Sequence, residues 1–180
     1  MKNPLLVVSL VLLLCFSFGC QNKAEKAELE KLRIQEEVEE QNKASLRRLL
    51  EETDKGNYTA WDEICAPDYK FHYPSNAKPI SLEEHKQLNK SMPAAFPDFH
   101  HTIEVIFAEG DKAVFRASLT GTHKGDFMGI PATGKSVEYS AIGIARFSDG
   151  KIVEFWLEAD FMGLFQQLGM EFKPIEAKKK

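Results

Sequence analysis

The chain predicts an α+β domain, helices first and a curved antiparallel sheet after them, on three observations. Helical periodicity dominates as far as Pro93, alternation with a two-residue period dominates from Thr102 onward, and Asp149-Gly150 joins two long alternating runs as a tight hairpin turn. The stretch from residue 44 to 172 is ample for one independent domain, and no internal repeat marks a second.

Other segments precede that domain. Met1-Lys2 supplies positive charge, Leu5 to Phe18 is an almost unbroken apolar run, and Gly19-Cys20 follows. This layout predicts a signal peptide over residues 1–19, because a spanning helix needs about 20 apolar residues and the run is shorter. Gly19 resembles the small residue that precedes the lipidated cysteine of bacterial lipoproteins, which predicts lipidation at Cys20 and a membrane anchor. Ser17-Phe18-Gly19 also reads as the small-x-small site of ordinary secretory cleavage. Both readings place the domain outside the cytoplasm, in the cell envelope or at the cell surface.

Residues 20–43 are rich in Glu, Lys and Gln, without Gly or Pro, and Leu29, Leu32, Ile34 and Val38 keep no heptad. A charged helical stalk is predicted. The domain is expected from residue 44 to 172, and a basic tail from 173 to 180 ends in three lysines.

The net charge is −4, and residues 1–19 carry one Lys and no acid, so the processed chain is more acidic still. The basic footprint of a nucleic-acid binder is missing. Of three cysteines, Cys15 leaves with the signal and Cys20 takes lipid, so Cys65 has no disulfide partner. It follows Trp61 and Ile64 at helical spacing and is expected as a small buried side chain.

Within the domain, Leu46, Leu49 and Leu50 form the apolar stripe of a helix that stops at Gly56-Asn57. Thr59 and Asp62 suggest a capping box for a second helix, with Trp61, Ile64 and Cys65 facing inward and Ala66-Pro67 ending it. Ser81 to Glu84 is a regular capping box for a third, which runs to about Pro93. Strands are predicted around Tyr69 to Tyr73, Thr102 to Ala108, Ala113 to His123, Ser136 to Phe147 and Lys151 to Asp160, with a helix over Phe161 to Leu168.

In the last strand Glu154, Trp156, Glu158 and Asp160 share one face, and Val153, Phe155, Leu157 and Ala159 the other. Arg116, Ser118 and Thr120 form a second polar row, and Glu138 and Ser140 a third. These rows predict a polar patch inside a concave sheet, with a plain solvent-facing row as the competing reading. The loop from Gly121 to Lys135 carries Phe127, Met128 and Ile130 and is expected to act as a lid. His100 and His101 are adjacent on a strand, point to opposite faces and predict no shared metal ion.

Several linked motifs carry a resemblance: Phe96-Pro97-Asp98-Phe99-His100, the turn at residues 108–111, Thr120 to Gly125, Phe127 to Pro131, Arg146-Phe147 with Asp149 to Glu154, Trp156 with Asp160, and Leu164 to Gly169. Together they resemble the SnoaL-like polyketide cyclase, or ester cyclase, family. The resemblance spans roughly Leu46 to Gly169. It implies a nuclear-transport-factor-2-like cone of antiparallel sheet closed by helices around a hydrophobic pocket, and ring closure by aldol chemistry without a cofactor.

On that resemblance Asp160 matches the acid four residues after the family's Trp and is the expected general acid/base, with Glu158 as the alternative carboxylate. Arg116 or His123 would stabilise an enolate oxygen. Tyr73, His100, Phe127, Met128, Glu138 and Trp156 would line the substrate pocket. Each has a structural alternative: Asp160 as a helix cap, Arg116 as an ion partner of Glu138 or Glu158, and His123 as a loop hydrogen-bonder. The expected ligand is a small hydrophobic carbonyl compound, turned over or merely bound. A homodimer through the outer sheet face, with Phe155 and Leu157 as contacts, is the remaining expectation.

Overall fold

A computed structural model describes the backbone over residues 4–73 and 78–171 and the side chains from residue 23 onward. The expected signal peptide, lipidation at Cys20 and basic tail lie outside the described side chains. Two compact units divide at Val38 and Glu39. In the first, Leu29, Leu32, Ile34 and Val38 are exposed on the long helix α1 (Pro4–Asp54).

The second unit begins with the last turns of α1, ahead of Ala44. Asn42 is buried and donates to the Gly110 carbonyl, while the Glu39 carboxylate accepts from the Gly110 N–H. Leu46, Leu49 and Leu50 then face the core. A 3-10 turn (Tyr58–Ala60) and the one-turn helix α2 (Trp61–Ile64) follow, and β1 starts at once (Cys65–His72). The expected second helix is therefore a single turn without a side-chain cap, and Cys65 is a strand residue. Pro67 explains the early stop, since the residue before a proline is driven toward extended backbone. Burial of Cys65 holds, and it pushes the thiol up to about 12.

After residues 74–77, Ser81 caps α3 (Leu82–Lys90) with both arms of the predicted box, Glu84 N–H to Ser81 Oγ and Ser81 N–H to Glu84. A short α4 (Met92–Ala95) leads to β2 (His100–Glu109), β3 (Lys112–Thr122), β4 (Ser136–Ser148), β5 (Lys151–Ala159) and α5 (Phe161–Leu168). The turn between β4 and β5 has positive φ at both Asp149 (50°) and Gly150 (72°), the requirement of a type I′ hairpin.

Strand order is β1-β5-β4-β3-β2. Three pairings are antiparallel, and β1 runs parallel to β5, with Phe71 opposite Phe155. The sheet is thus mixed rather than wholly antiparallel. No hairpin links β1 to β5, so nothing local in the sequence sets their relative direction. Register shifts at Ile103/Val105 and Arg146/Phe147 mark irregular points in the ladders, and bulges of this kind bend a sheet.

The end of α1, α2 and α3 cover the inner face, where Trp61, Phe71, Phe115, Ile152 and Phe155 make the main core. A second cluster joins Phe96, Leu119, Phe127, Tyr139, Leu164 and Leu168 under α4, α5 and the 123–135 loop. Gly143 is the narrow point of the inner face, because a Cβ there would come within 2.2 Å of the Phe115 ring.

Candidate functional site

Alternation along the strands is as predicted, but the inner face belongs to the opposite row. Phe155 is buried and Leu157 half-buried against the core, whereas Glu154, Trp156 and Glu158 lie on the outer face beside Arg146, Ile144 and Ile142. Burying apolar area yields roughly 25 cal/mol per Å², and carboxylates are expensive to bury unpaired. The apolar row therefore takes the inside.

The expected polar patch accordingly faces outward. Arg116 is exposed and pairs with Glu104 on β2, not with Glu138 or Glu158. Glu154 accepts from Arg146 at 2.8 and 2.7 Å and contacts His72 at 3.3 Å, and His72 stacks on Trp156 with ring centres 4.8 Å apart. Glu138 and Glu158 are exposed there as well. Phe155 and Leu157, expected as dimer contacts, are taken up by the inner face. The apolar side chains exposed on the outer face are Val105, Phe107, Ile142 and Ile144.

The remaining residues scatter. Asp160 is exposed and caps α5, accepting the Gly163 N–H at 2.8 Å. His123 is buried in the loop, where Nδ1 accepts from the Thr133 N–H at 3.3 Å and the ring stacks on Phe96. Phe127 tucks edge-on against Phe96, while Met128 is 72% exposed. The loop is pinned at Lys124 and Gly125, whose N–H groups donate to Ala95, and a Cβ on Gly125 would meet the Ala94 oxygen at 2.1 Å. Tyr73 packs against Phe71 and Phe161.

A cavity of about 40 Å³ sits between the helices and the inner face, with Thr53, Trp61, His85, Asn89, His101 and Phe155 among its lining residues. A second of about 40 Å³ adjoins it, sharing Thr53 and Asn89 and reaching Asp54, Tyr58 and Phe96. None of the residues expected to line a pocket lines either.

The two cavities meet a hydrogen-bonded cluster. Asp54, on the last turn of α1, holds His101 Nδ1 at 2.5 Å through Oδ1, accepts the His101 N–H at 3.0 Å through Oδ2, and has His100 Nδ1 at 2.8 Å. Both adjacent histidines thus reach one carboxylate. The two carboxylate oxygens make this possible, Oδ1 meeting His101 and Oδ2 meeting His100. Burial opposes ionisation of Asp54, but the hydrogen bonds from His101 outweigh it, and the carboxyl sits below its usual range. Among the described residues no three His, Cys, Asp or Glu side chains are grouped to hold a metal ion.

His85 lies deeper. It stacks on Phe71 with centres 3.6 Å apart, and its Nδ1 is 2.9 Å from the Tyr69 hydroxyl. Burial lowers its pKa to about 3, so the ring is neutral. Sequence reading missed Asp54, His85 and His101 as site residues. The one signal was the His100-His101 pair, of which only His100 was expected to line the pocket and His101 was weighed only for a metal.

Comparison with known proteins agrees with this architecture. The sequence profile of the SnoaL-like polyketide cyclase family matches residues 44–168. Aklanonic acid methyl ester cyclase DnrD of Streptomyces peucetius is 34% identical over 76 residues, which are 42% of this chain and 52% of that protein. The chain spans about half the length of the curated relatives it matches. A SnoaL-like protein from Jannaschia sp. CCS1 superimposes with a TM-score of 0.69 at 25% identity, covering 74% of this chain and 95% of that one. IdmH of Streptomyces antibioticus does so with a TM-score of 0.65 at 31% identity, covering 71% and 97%. With its helices closed over the inner face of a curved mixed sheet, the nuclear-transport-factor-2-like arrangement, the chain belongs to the SnoaL-like polyketide cyclase family.

Proposed function

We propose that this is an exported, lipid-anchored SnoaL-like protein whose domain binds a small hydrophobic carbonyl compound in the inner cavity and moves a proton on it. The observation that carries the reading is the Asp54–His101 pair at the cavity wall. Asp54 accepts from Nδ1–H, which leaves the lone pair on Nε2, so the ring is set as a general base. Nε2 takes a proton from the carbon next to the carbonyl, the C–H electron pair moves to the carbonyl oxygen, and the enolate so formed takes a proton back or attacks a second carbonyl. That is the first step of an aldol ring closure.

Cavities of about 40 Å³ hold little more than one water molecule, whose share of liquid volume is about 30 Å³. Any ring-sized ligand therefore requires α4 and its loop to move aside, an apolar cavity that takes benzene being about 150 Å³, and a compact ketone, which needs the least displacement, is the first probe. The apolar run before Cys20 supports export and Gly19-Cys20 supports lipidation; labelling of the expressed chain with palmitate, lost in Cys20→Ala, tests the anchor.

The catalytic test is exchange of the α-protons of cyclopentanone in D₂O, followed by proton NMR. Wild type should accelerate exchange, and His101→Asn should lower the rate by about 10² to 10⁴, the range of one acid/base group. Asp160→Asn should exchange as wild type does. Full activity in His101→Asn together with loss in Asp160→Asn would transfer the role to Asp160, the acid that the family resemblance favours.

A further inference from the structure

The outer face of the sheet carries an ordered apolar stripe. Strand register puts Phe107, Val114, Ile144, Trp156 and His72 side by side across all five strands, and of these only His72 is polar. Phe107 and Ile144 are 54% and 37% exposed, and their neighbours Val105 and Ile142 are 50% and 49% exposed. Single exposed apolar side chains are ordinary, but a continuous patch on a folded domain marks a contact surface. Strands β2 to β5 have 9 to 13 residues. At about 3.4 Å per residue and four spacings of about 4.8 Å the face measures roughly 600–800 Å², and a specific interface buries ~800 Å² per partner.

Charges flank the stripe in a set order. On one side the row reads Val105, Arg116, Ile142 and Glu158, from β2 to β5. On the other it reads Glu109, Lys112, Arg146, Glu154 and Lys70, from β2 to β1. Glu109, Glu158 and Lys70 are exposed and make no ion pair among the described residues.

We infer that this face docks on the same face of a second copy of the chain, about a two-fold axis lying along β4. Such an axis sets β4 on β4, β3 on β5 of the second copy and β2 on its β1, with positions along the strands kept in step. Ile142 and Ile144 then meet their own equivalents, and Val114 meets Trp156. Arg116 faces Glu158, Lys112 faces Glu154 and Glu109 faces Lys70, each pair twice, so all three unpaired side chains gain an opposite charge. Arg146 meets its equivalent with its charge already held by Glu154.

A two-fold axis running across the strands along the stripe would instead set each strand on itself and exchange the flanking rows. Arg116 would face Lys112 and Glu158 would face Glu154, and like charges brought together in this way oppose docking. The order of charges therefore selects the axis as well as the face. The contact belongs to assembled copies and adds nothing to the unfolding free energy of a dilute, separated domain.

The test is cross-linking of the full chain by a short bis-maleimide. The background is cysteine-free, Cys15→Ala with Cys20→Ala and Cys65→Ala, and carries one new cysteine at a time. Facing sheets lie about 10 Å apart, so Ile144→Cys, on the axis, should give a dimer on a denaturing gel. Phe107→Cys should stay monomeric, because its two copies lie four strand spacings, about 19 Å, apart across the face. A dimer yield at Phe107 matching that at Ile144 would overturn the axis. No dimer at Ile144 would overturn the docking, and is the result if another molecule or another part of the chain covers the face. Glu158→Arg in the Ile144→Cys chain should weaken association roughly tenfold by setting like charges opposite each other, and adding Arg116→Glu should restore it. Equal yields in all three chains would sink the charge pairing.

Discussion

Both faces of one sheet carry aromatic and branched side chains, yet they do different work. On the inner face Phe71, Phe115 and Phe155 are sealed beneath helices, and Phe115 and Phe155 line a cavity with the neutral, hydrogen-bonded His85. On the outer face Trp156, Ile142 and Ile144 are interleaved with Arg146, Glu154 and Arg116, all within reach of water. The difference teaches that a polar row on a strand is no guide to a polar pocket. Chemistry inside this domain comes from groups at the ends of elements, Asp54 at the close of α1 and His101 at the opening of β2, where backbone geometry lets polar atoms meet.

The largest expected effect falls on the inner face. Phe155→Ala should cost about 3–5 kcal/mol in urea unfolding, as for a buried aromatic, and Ile144→Ala on the outer face should cost under about 1 kcal/mol. Equal costs would break the assignment of faces. His85 sharpens it through pH. Its folded value of about 3 lies below the unfolded one near 6.5, so the unfolded chain binds more protons between those limits and stability falls as pH drops from 6.5 toward 3. The slope from this group approaches about 1.4 kcal/mol per pH unit, and His85→Gln should flatten it.

Gly143→Ala drives a Cβ at the Phe115 ring and should cost about 1–3 kcal/mol by overpacking. Asp160→Ala should cost about 0.5–2 kcal/mol through the lost cap of α5, and Asp160→Asn almost nothing, because Asn caps as well. A stability loss in Asp160→Asn equal to that in the alanine variant would mean the side chain does more than cap. Smallest is Glu158→Gln, on the exposed outer face, within about 0.5 kcal/mol.

Much of the fold was legible because its signals are local. The capping box at Ser81 and Glu84, the Asp149-Gly150 hairpin, the leucine stripe before Gly56 and the strand alternation each depend on residues a few positions apart. The second helix was overread, since Thr59 and Asp62 have the composition of a box while Pro67 forces extension just beyond. The site was hardly legible: Asp54 and His101 are 47 residues apart, and Trp61 looked like a core residue because by burial it is one.

By itself the sequence determined the family, the order of elements and the two alternating rows of each strand, all of which follow from side-chain spacing and backbone propensity. Only the tertiary structure decided that β1 runs parallel to β5, which row faces inward, and that Asp54, His101, His85 and Trp61 gather around two adjoining cavities. The physical reason is range. Periodicity fixes which residues share a face, but which face is buried depends on what packs against it, and that is settled by the free energy of the whole domain.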